Sequence, residues 1–148
     1  PLETAGGIVQ ALPLLGAAPF VIVNSDVWTD YPFSRLRHAL VAGNHVHLVL
    51  VPNPDHHPRG DFSLTADNRL ALPDGNTPTY TYSGIAVFHP ALFAAVTERK
   101  YPLLPLLKQA IAVNAATAEI YRGEWSDIGT PQRLRELDTK LALQVAAL

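Results

Sequence analysis

The sequence predicts an α/β fold, a mixed and mostly parallel sheet flanked by helices, and three observations carry that reading. Phe20-Val21-Ile22-Val23 is an unbroken apolar run, as expected of a strand covered on both faces. Val46 to Val51 is a second such run. Between them, Phe33 to Ala42 reads as a helix, with Ser34 near its start and Gly43 at its end. Strand, helix and strand joined by short connections make a βαβ unit, which implies parallel pairing.

Taken in order, Pro1 to Gly7 is a small-residue loop, followed by a short helix over Ile8 to Leu15 that Gly16 ends. Adjacent glycines before a helix either admit a ligand to the backbone or simply join loop to helix, and both readings stand. The Phe20–Val23 strand leaves the sheet through Asn24-Ser25-Asp26, at the carboxyl end where open α/β sheets bind ligands. Asp26 is therefore placed either to hold a hard divalent cation or to cap the turn before Val27-Trp28-Thr29-Asp30. After Pro52-Asn53-Pro54 and a polar loop through Pro58-Arg59-Gly60, Phe62–Leu64 and Arg69–Leu72 form an antiparallel pair around Asp67-Asn68. Thr79–Tyr82 and Ile85–Phe88 are strand-like, and the intervening Ser83-Gly84 marks a bulge, a close ligand approach or plain strand packing. Pro90 opens a helix through Val96, and another helix covers Leu104 to Val113. Ala118–Tyr121 and Trp125–Ile128 read as strands. Thr130 then caps a final helix that starts at Pro131 and runs towards Val145.

Composition narrows the function classes. The 148 residues are 48% hydrophobic and 16% charged, which is the balance of an ordinary globular domain. With net charge −2 and eleven scattered basic residues, phosphate-driven nucleic acid binding is not expected. Absence of cysteine excludes disulfides and thiolate metal sites, and fits a reducing, cytoplasmic setting. The apolar stretch at 8–23 is broken by Pro13, Gly16 and Pro19 and has no basic lead, so no membrane segment is expected. The chain opens at Pro1 and has no Met, which suggests a trimmed product or a fragment.

Two acids occupy comparable positions, Asp26 and Asp127, each at a strand end and about a hundred residues apart. Brought together, they would form a two-carboxylate clamp for Mg²⁺ completed by substrate phosphates. Rival chemistries are thinner. His45 and His47 alternate onto one strand face and His56-His57 follow, but no third zinc ligand is suggested. No G-x-S-x-G elbow, Walker loop or G-x-G-x-x-G occurs.

Leu2-Glu3-Thr4-Ala5-Gly6-Gly7-Ile8, Val23-Asn24-Ser25-Asp26, Asn53 through Phe62, Tyr82-Ser83-Gly84-Ile85 and Trp125-Ser126-Asp127-Ile128-Gly129-Thr130 together resemble the sugar-1-phosphate nucleotidyltransferases. The similar branch is the bacterial one holding N-acetylmuramate 1-phosphate uridylyltransferases and mannose-1-phosphate guanylyltransferase-like enzymes. The resemblance implies a Rossmann-like nucleotide-diphospho-sugar transferase fold, Mg²⁺, and two substrates, a nucleoside triphosphate and a sugar 1-phosphate. It makes Asp26 and Asp127 the catalytic metal ligands. Glu3, Gly6 and Gly7 would lie by the nucleobase, Asn24 by the ribose or metal, and Gly60, Ser83 and Gly84 on the sugar side. N-acetylmuramate 1-phosphate with UTP is the expected pair; mannose 1-phosphate with GTP is the alternative.

The chain also departs from the family pattern. It matches neither the arginine-containing glycine loop nor the lysine that cradle the triphosphate. Ala5 and Ser25 stand where glycine is usual, and Asp74 to Pro78 replaces a Glu-Lys-Pro signature. The expectation is a single domain over 1–148, the carboxyl-terminal two-thirds of such an enzyme, inactive or nearly so alone. A strand edge left open by the missing segment would invite a homodimer. Two other classes compete. A glycosyltransferase would want an Asp-x-Asp motif, which Asp26-Val27-Trp28 breaks, and a non-catalytic nucleotide-binding module would keep the sheet without the chemistry.

Overall fold

The computed structural model describes residues 2–146. Its main sheet joins β1 (Phe20–Val23), β3 (Val46–Val51), β4 (Phe62–Leu64), β5 (Leu70–Ala71), β6 (Thr79–Phe88) and β7 (Ala116–Ile120). A separate ribbon pairs β2 (Val27–Thr29) with β8 (Trp125–Asp127). Three α-helices accompany them: α1 (Glu3–Leu15), α2 (Leu104–Ala112) and α3 (Pro131–Ala146). Among the described residues no helix is long and apolar enough to cross a membrane.

β6 is the spine. β3 runs along one of its edges, while β1 and β4 divide the other, β1 beside Ile85–Phe88 and β4 beside Thr79 and Tyr80. All six residues of β3 are buried, because both faces of the sheet are covered there. Val46, Leu48 and Leu50 meet α1, α2 and the phenylalanines Phe20, Phe88 and Phe93; Val49 packs on the opposite face with Tyr31, Leu36, Ile85 and Val87. A side chain such as Leu48, with no exposed surface, contributes about 2 kcal/mol by leaving water.

The α/β class and the mixed sheet are borne out, but the strand directions are not mostly parallel. Among the described pairings only β3 with β7 is parallel. β1, β3 and β7 do share one direction, as a βαβ crossover requires; β6 inserts between β1 and β3 and runs the other way. β1 is also not covered on both faces. Val21 and Val23 are 45% and 42% exposed, since β1 has a partner on one side only and helix cover on one face.

Helix limits differ as well. α1 begins at Glu3, so Gly6 and Gly7 lie inside a helix and not in a loop. Gly6 is there for packing: its N–H donates to the Tyr101 carbonyl, and a Cβ would come within 2.4 Å of the Arg99 carbonyl oxygen. The expected helices at Phe33 and Pro90 are short 3-10 turns, Phe33–His38 and Pro90–Phe93. The Phe62/Arg69 hairpin, α2 and α3 form where the sequence puts them, with Asn68 left-handed in the hairpin turn. Ser83-Gly84 is a bulge: β6 pairs Ile85 with Val49 and then Tyr82 with Leu50, leaving the two residues between extra.

Candidate functional site

β2 decides the site, although the sequence reading assigns no strand to Val27-Trp28-Thr29. It pairs antiparallel with β8, placing Val27 opposite Asp127, and the Ile128 N–H donates to the Asp26 carbonyl at 2.7 Å. Two acids about a hundred residues apart in the chain thus reach one rim of the sheet. Both line a cleft of about 260 Å³ whose floor is the β6 bulge. Gly84 has φ +82° and its carbonyl accepts from the Asn24 N–H, and its missing Cβ leaves room for the Asn24 side chain. The Trp125 indole donates to the Ser83 carbonyl at 2.9 Å, fastening β8 to the same bulge.

The carboxylates differ in surroundings. Asp127 accepts from Arg133 Nη1 on one oxygen, and His56 Nε2 lies 3.1 Å from the other. Burial pushes its pKa up, but the hydrogen bonds and charges of Arg133 and His56 outweigh that and hold it below the usual carboxylate range. Asp26 is exposed, with Gly129 against its Oδ2. Two hard-oxygen donors facing one cleft suit Mg²⁺, which takes few protein carboxylates and fills its octahedron with water and phosphate. Among the described residues no group of three or more His, Cys, Asp or Glu is placed to hold a metal ion, although His56 and His57 line the same cleft as the two acids.

A second cleft of about 460 Å³ adjoins the first, sharing Asn24 and Tyr82 as a common wall. Gly60 lines it, together with Thr4, Asp61 and the leucines at 103, 104 and 107. Gly60 has φ +60°, and its carbon backs onto Asn53, whose amide bonds Pro58, Thr79 and Thr81 and so closes the 53–60 loop. Of the other sequence candidates, Ser83 is turned inward. Its hydroxyl donates to the Val49 carbonyl at 2.7 Å and accepts from the Ile85 N–H, so it braces the bulge. Glu3 faces Lys100 at 3.5 Å, Gly6 is buried in helix packing, and Gly7 has open space around it. None of those three lines either cleft.

Sequence reasoning misses Arg133 altogether and weighs His56 only as a zinc ligand. No local signal links His56 to an acid 71 residues on, and Arg133, six residues past Asp127, sits in a helix whose sequence pattern does not mark it. His47 is not paired with His45; it lies near Thr117 and Glu119, lining a larger cavity of about 630 Å³ by Arg35. That cavity is bigger, but its acid is already saturated by Tyr31 and Arg35. The smaller cleft is the one that both Asp26 and Asp127 line.

No family model matches the chain. An N-acetylmuramate alpha-1-phosphate uridylyltransferase from Neisseria meningitidis serogroup B is 40% identical over 139 residues, covering 91% of this chain and 60% of that protein. The chain is related to the sugar-1-phosphate nucleotidyltransferases. An enzyme of the same name from Caulobacter vibrioides is 29% identical over 150 residues, 95% of this chain and 62% of its own length. The chain thus spans about 60% of the length of the curated relatives it matches. The solved structure of HddC from Yersinia pseudotuberculosis complexed with GMP-PN superposes with a TM-score of 0.77 at 18% identity, over 95% of this chain and 63% of that one. The nucleotide-diphospho-sugar transferase fold is therefore shared.

Proposed function

We propose that the protein to which this chain belongs is a Mg²⁺-dependent nucleotidyltransferase that joins N-acetylmuramate 1-phosphate to UTP. A phosphate oxygen of the sugar 1-phosphate attacks the α-phosphorus of the triphosphate. The bond to the β-phosphate oxygen breaks, and pyrophosphate leaves with that electron pair. The nucleotide sugar and pyrophosphate together account for all atoms. Asp26 and Asp127 would hold the ion, which when bound offsets phosphate charge during an in-line displacement.

The chain's own residues do the rest by position. The ribbon keeps the two carboxylates on one rim, Asn24 and Tyr82 separate the acidic cleft from its neighbour, and the 53–60 loop brings His56 and Gly60 to the two clefts. The phosphate end of a substrate belongs in the acidic cleft and the sugar in the adjoining one with the leucine wall. The observation that supports this reading is that Asp26 and Asp127 line one cleft in a chain 40% identical to a named uridylyltransferase. Pyrophosphate release by the whole protein tests it, since this chain alone is expected to be inactive or nearly so. N-acetylmuramate 1-phosphate with UTP should turn over faster than mannose 1-phosphate with GTP, and Asp26→Asn and Asp127→Asn should each abolish turnover. Equal rates with both pairs would remove the assigned substrate, and active Asn variants would remove the site.

A further inference from the structure

Arg133 stands one turn into α3 and reaches back to the end of β8. Its Nη1 alone makes the contacts seen among the described residues: Asp127 Oδ1, the Asp127 carbonyl at 3.4 Å and His56 Nε2 at 3.3 Å. Arginine has five N–H donors in a planar fork, so Nη2 and Nε remain for something else. The side chain is also 30% exposed, as is that of Asp127. It lines a cavity of about 500 Å³ that adjoins the acidic cleft through the shared His56 and Trp125, so it reaches that cleft through its contacts with Asp127 and His56 and does not line it. A cleft holding two carboxylates repels an anionic substrate, and Arg133 is the guanidinium that touches one of them.

We propose that Arg133, backed by His56, is a phosphoryl-binding residue that Asp127 masks until a divalent cation takes that carboxylate. The inference rests on the cation-site reading above. An ion pair this exposed is weak enough to be exchanged. When Asp127 turns to a cation, the guanidinium loses its counter-charge beside the bound phosphate, and a phosphate accepts its fork in two parallel hydrogen bonds. His56, bonded to the same carboxylate, is released with it. Arg133 thereby becomes a substrate-binding group and not merely a prop for Asp127.

Two binding measurements on the chain test this: Mn²⁺ by paramagnetic resonance, and inorganic pyrophosphate by calorimetry with Mn²⁺ present. Arg133→Met should bind Mn²⁺ at least as tightly as the native chain, because Asp127 loses a competitor. It should bind pyrophosphate in the presence of Mn²⁺ roughly tenfold more weakly. Arg133→Lys keeps the charge without the fork and should lose about threefold, which also serves if the Met variant does not fold. Pyrophosphate binding unchanged in both variants would overturn the proposal. So would loss of Mn²⁺ binding in Arg133→Met, which would make Arg133 only a positioner of Asp127. If instead Asp26→Asn and Asp127→Asn bind Mn²⁺ like the native chain, the cation site itself is wrong, and this inference goes with it.

Discussion

Two carboxylates in this molecule are each held by an arginine and a histidine, yet they do different work. Glu119, on β7, accepts from the Tyr31 hydroxyl and from Arg35, with His47 Nε2 3.7 Å away and His47 Nδ1 fixed by Thr117 at 2.9 Å. Asp127, on β8, has Arg133 and His56 and no tyrosine. The side chain of Glu119 is 19% exposed, against 30% for Asp127. The imidazole of His47, 3.7 Å away and too far for a hydrogen bond, is the main influence lowering the Glu119 pKa; burial opposes it, and Tyr31 and Arg35 add to the lowering. In return, burial and Glu119 push the Tyr31 hydroxyl well up. Glu119 is saturated from three directions and pins the edge strand to the loop after β2. Asp127 has fewer partners and shares its cleft with a second acid, Asp26. A chain optimised only for stability would not collect like charges on one rim, so the second arrangement reads as a site and the first as a fastening.

That contrast can be broken experimentally. The largest effect should come from Asp26→Asn and Asp127→Asn, each lowering Mn²⁺ affinity by about a hundredfold or more, measured by paramagnetic resonance. Glu119→Gln should leave that affinity unchanged; if it falls alike, the two centres are not distinct. For stability the order reverses. Glu119→Gln strands Arg35 and the Tyr31 hydroxyl and should cost about 2 kcal/mol, or roughly 4–8 °C in Tm, whereas Asp127→Asn should cost under about 1 kcal/mol. Thermal unfolding followed by circular dichroism separates these.

Gly84→Ala sharpens the comparison from the spine between the centres. Its φ of +82° opposes alanine, and so does the Asn24 side chain, 2.9 Å from where the new Cβ would stand. A loss of about 1–3 kcal/mol is expected, together with weaker Mn²⁺ binding through displacement of the Asn24 segment. A variant as stable as the native chain would show that the bulge is not needed. The smallest effect is in pH. The folded pKa of Glu119 lies below its ordinary value of 4.5, so its stabilisation is complete above that value and is lost as pH falls through the folded one. The stability gap between native chain and Glu119→Gln should therefore hold above the ordinary carboxylate value of 4.5 and close as pH falls below it. A constant gap in urea titrations on both sides of that value would mean that Glu119 is not held ionised by its neighbours.

How far the sequence could be read depended on the range of the interactions. Strands at Phe20 and Val46, the hairpin at Asn68 and the helix capped by Thr130 rest on neighbours within a few residues, and the structure has them. β2 escaped because Val27-Trp28-Thr29 is three residues long and forms a strand only by pairing with Trp125–Asp127. Gly6 looked like a ligand loop because the Arg99 backbone that needs its bare carbon lies more than ninety residues away in the chain. Ser83 looked like a sugar contact, and the hydroxyl instead braces its own bulge.

By itself the sequence determined which segments are apolar enough to enter a sheet, where the helices after Leu103 and Thr130 begin, and which acids end strands, since each depends on side-chain chemistry and near neighbours. Only the tertiary structure decided that β6 runs antiparallel between β1 and β3, that β2 and β8 draw Asp26 and Asp127 onto one rim, and that Arg133 and His56 attend one acid while Arg35 and His47 attend the other. Apart from Arg133 with Asp127, six residues apart, strand direction and charge pairing are set by contacts across scores of residues, and those exist only once the chain has closed on itself.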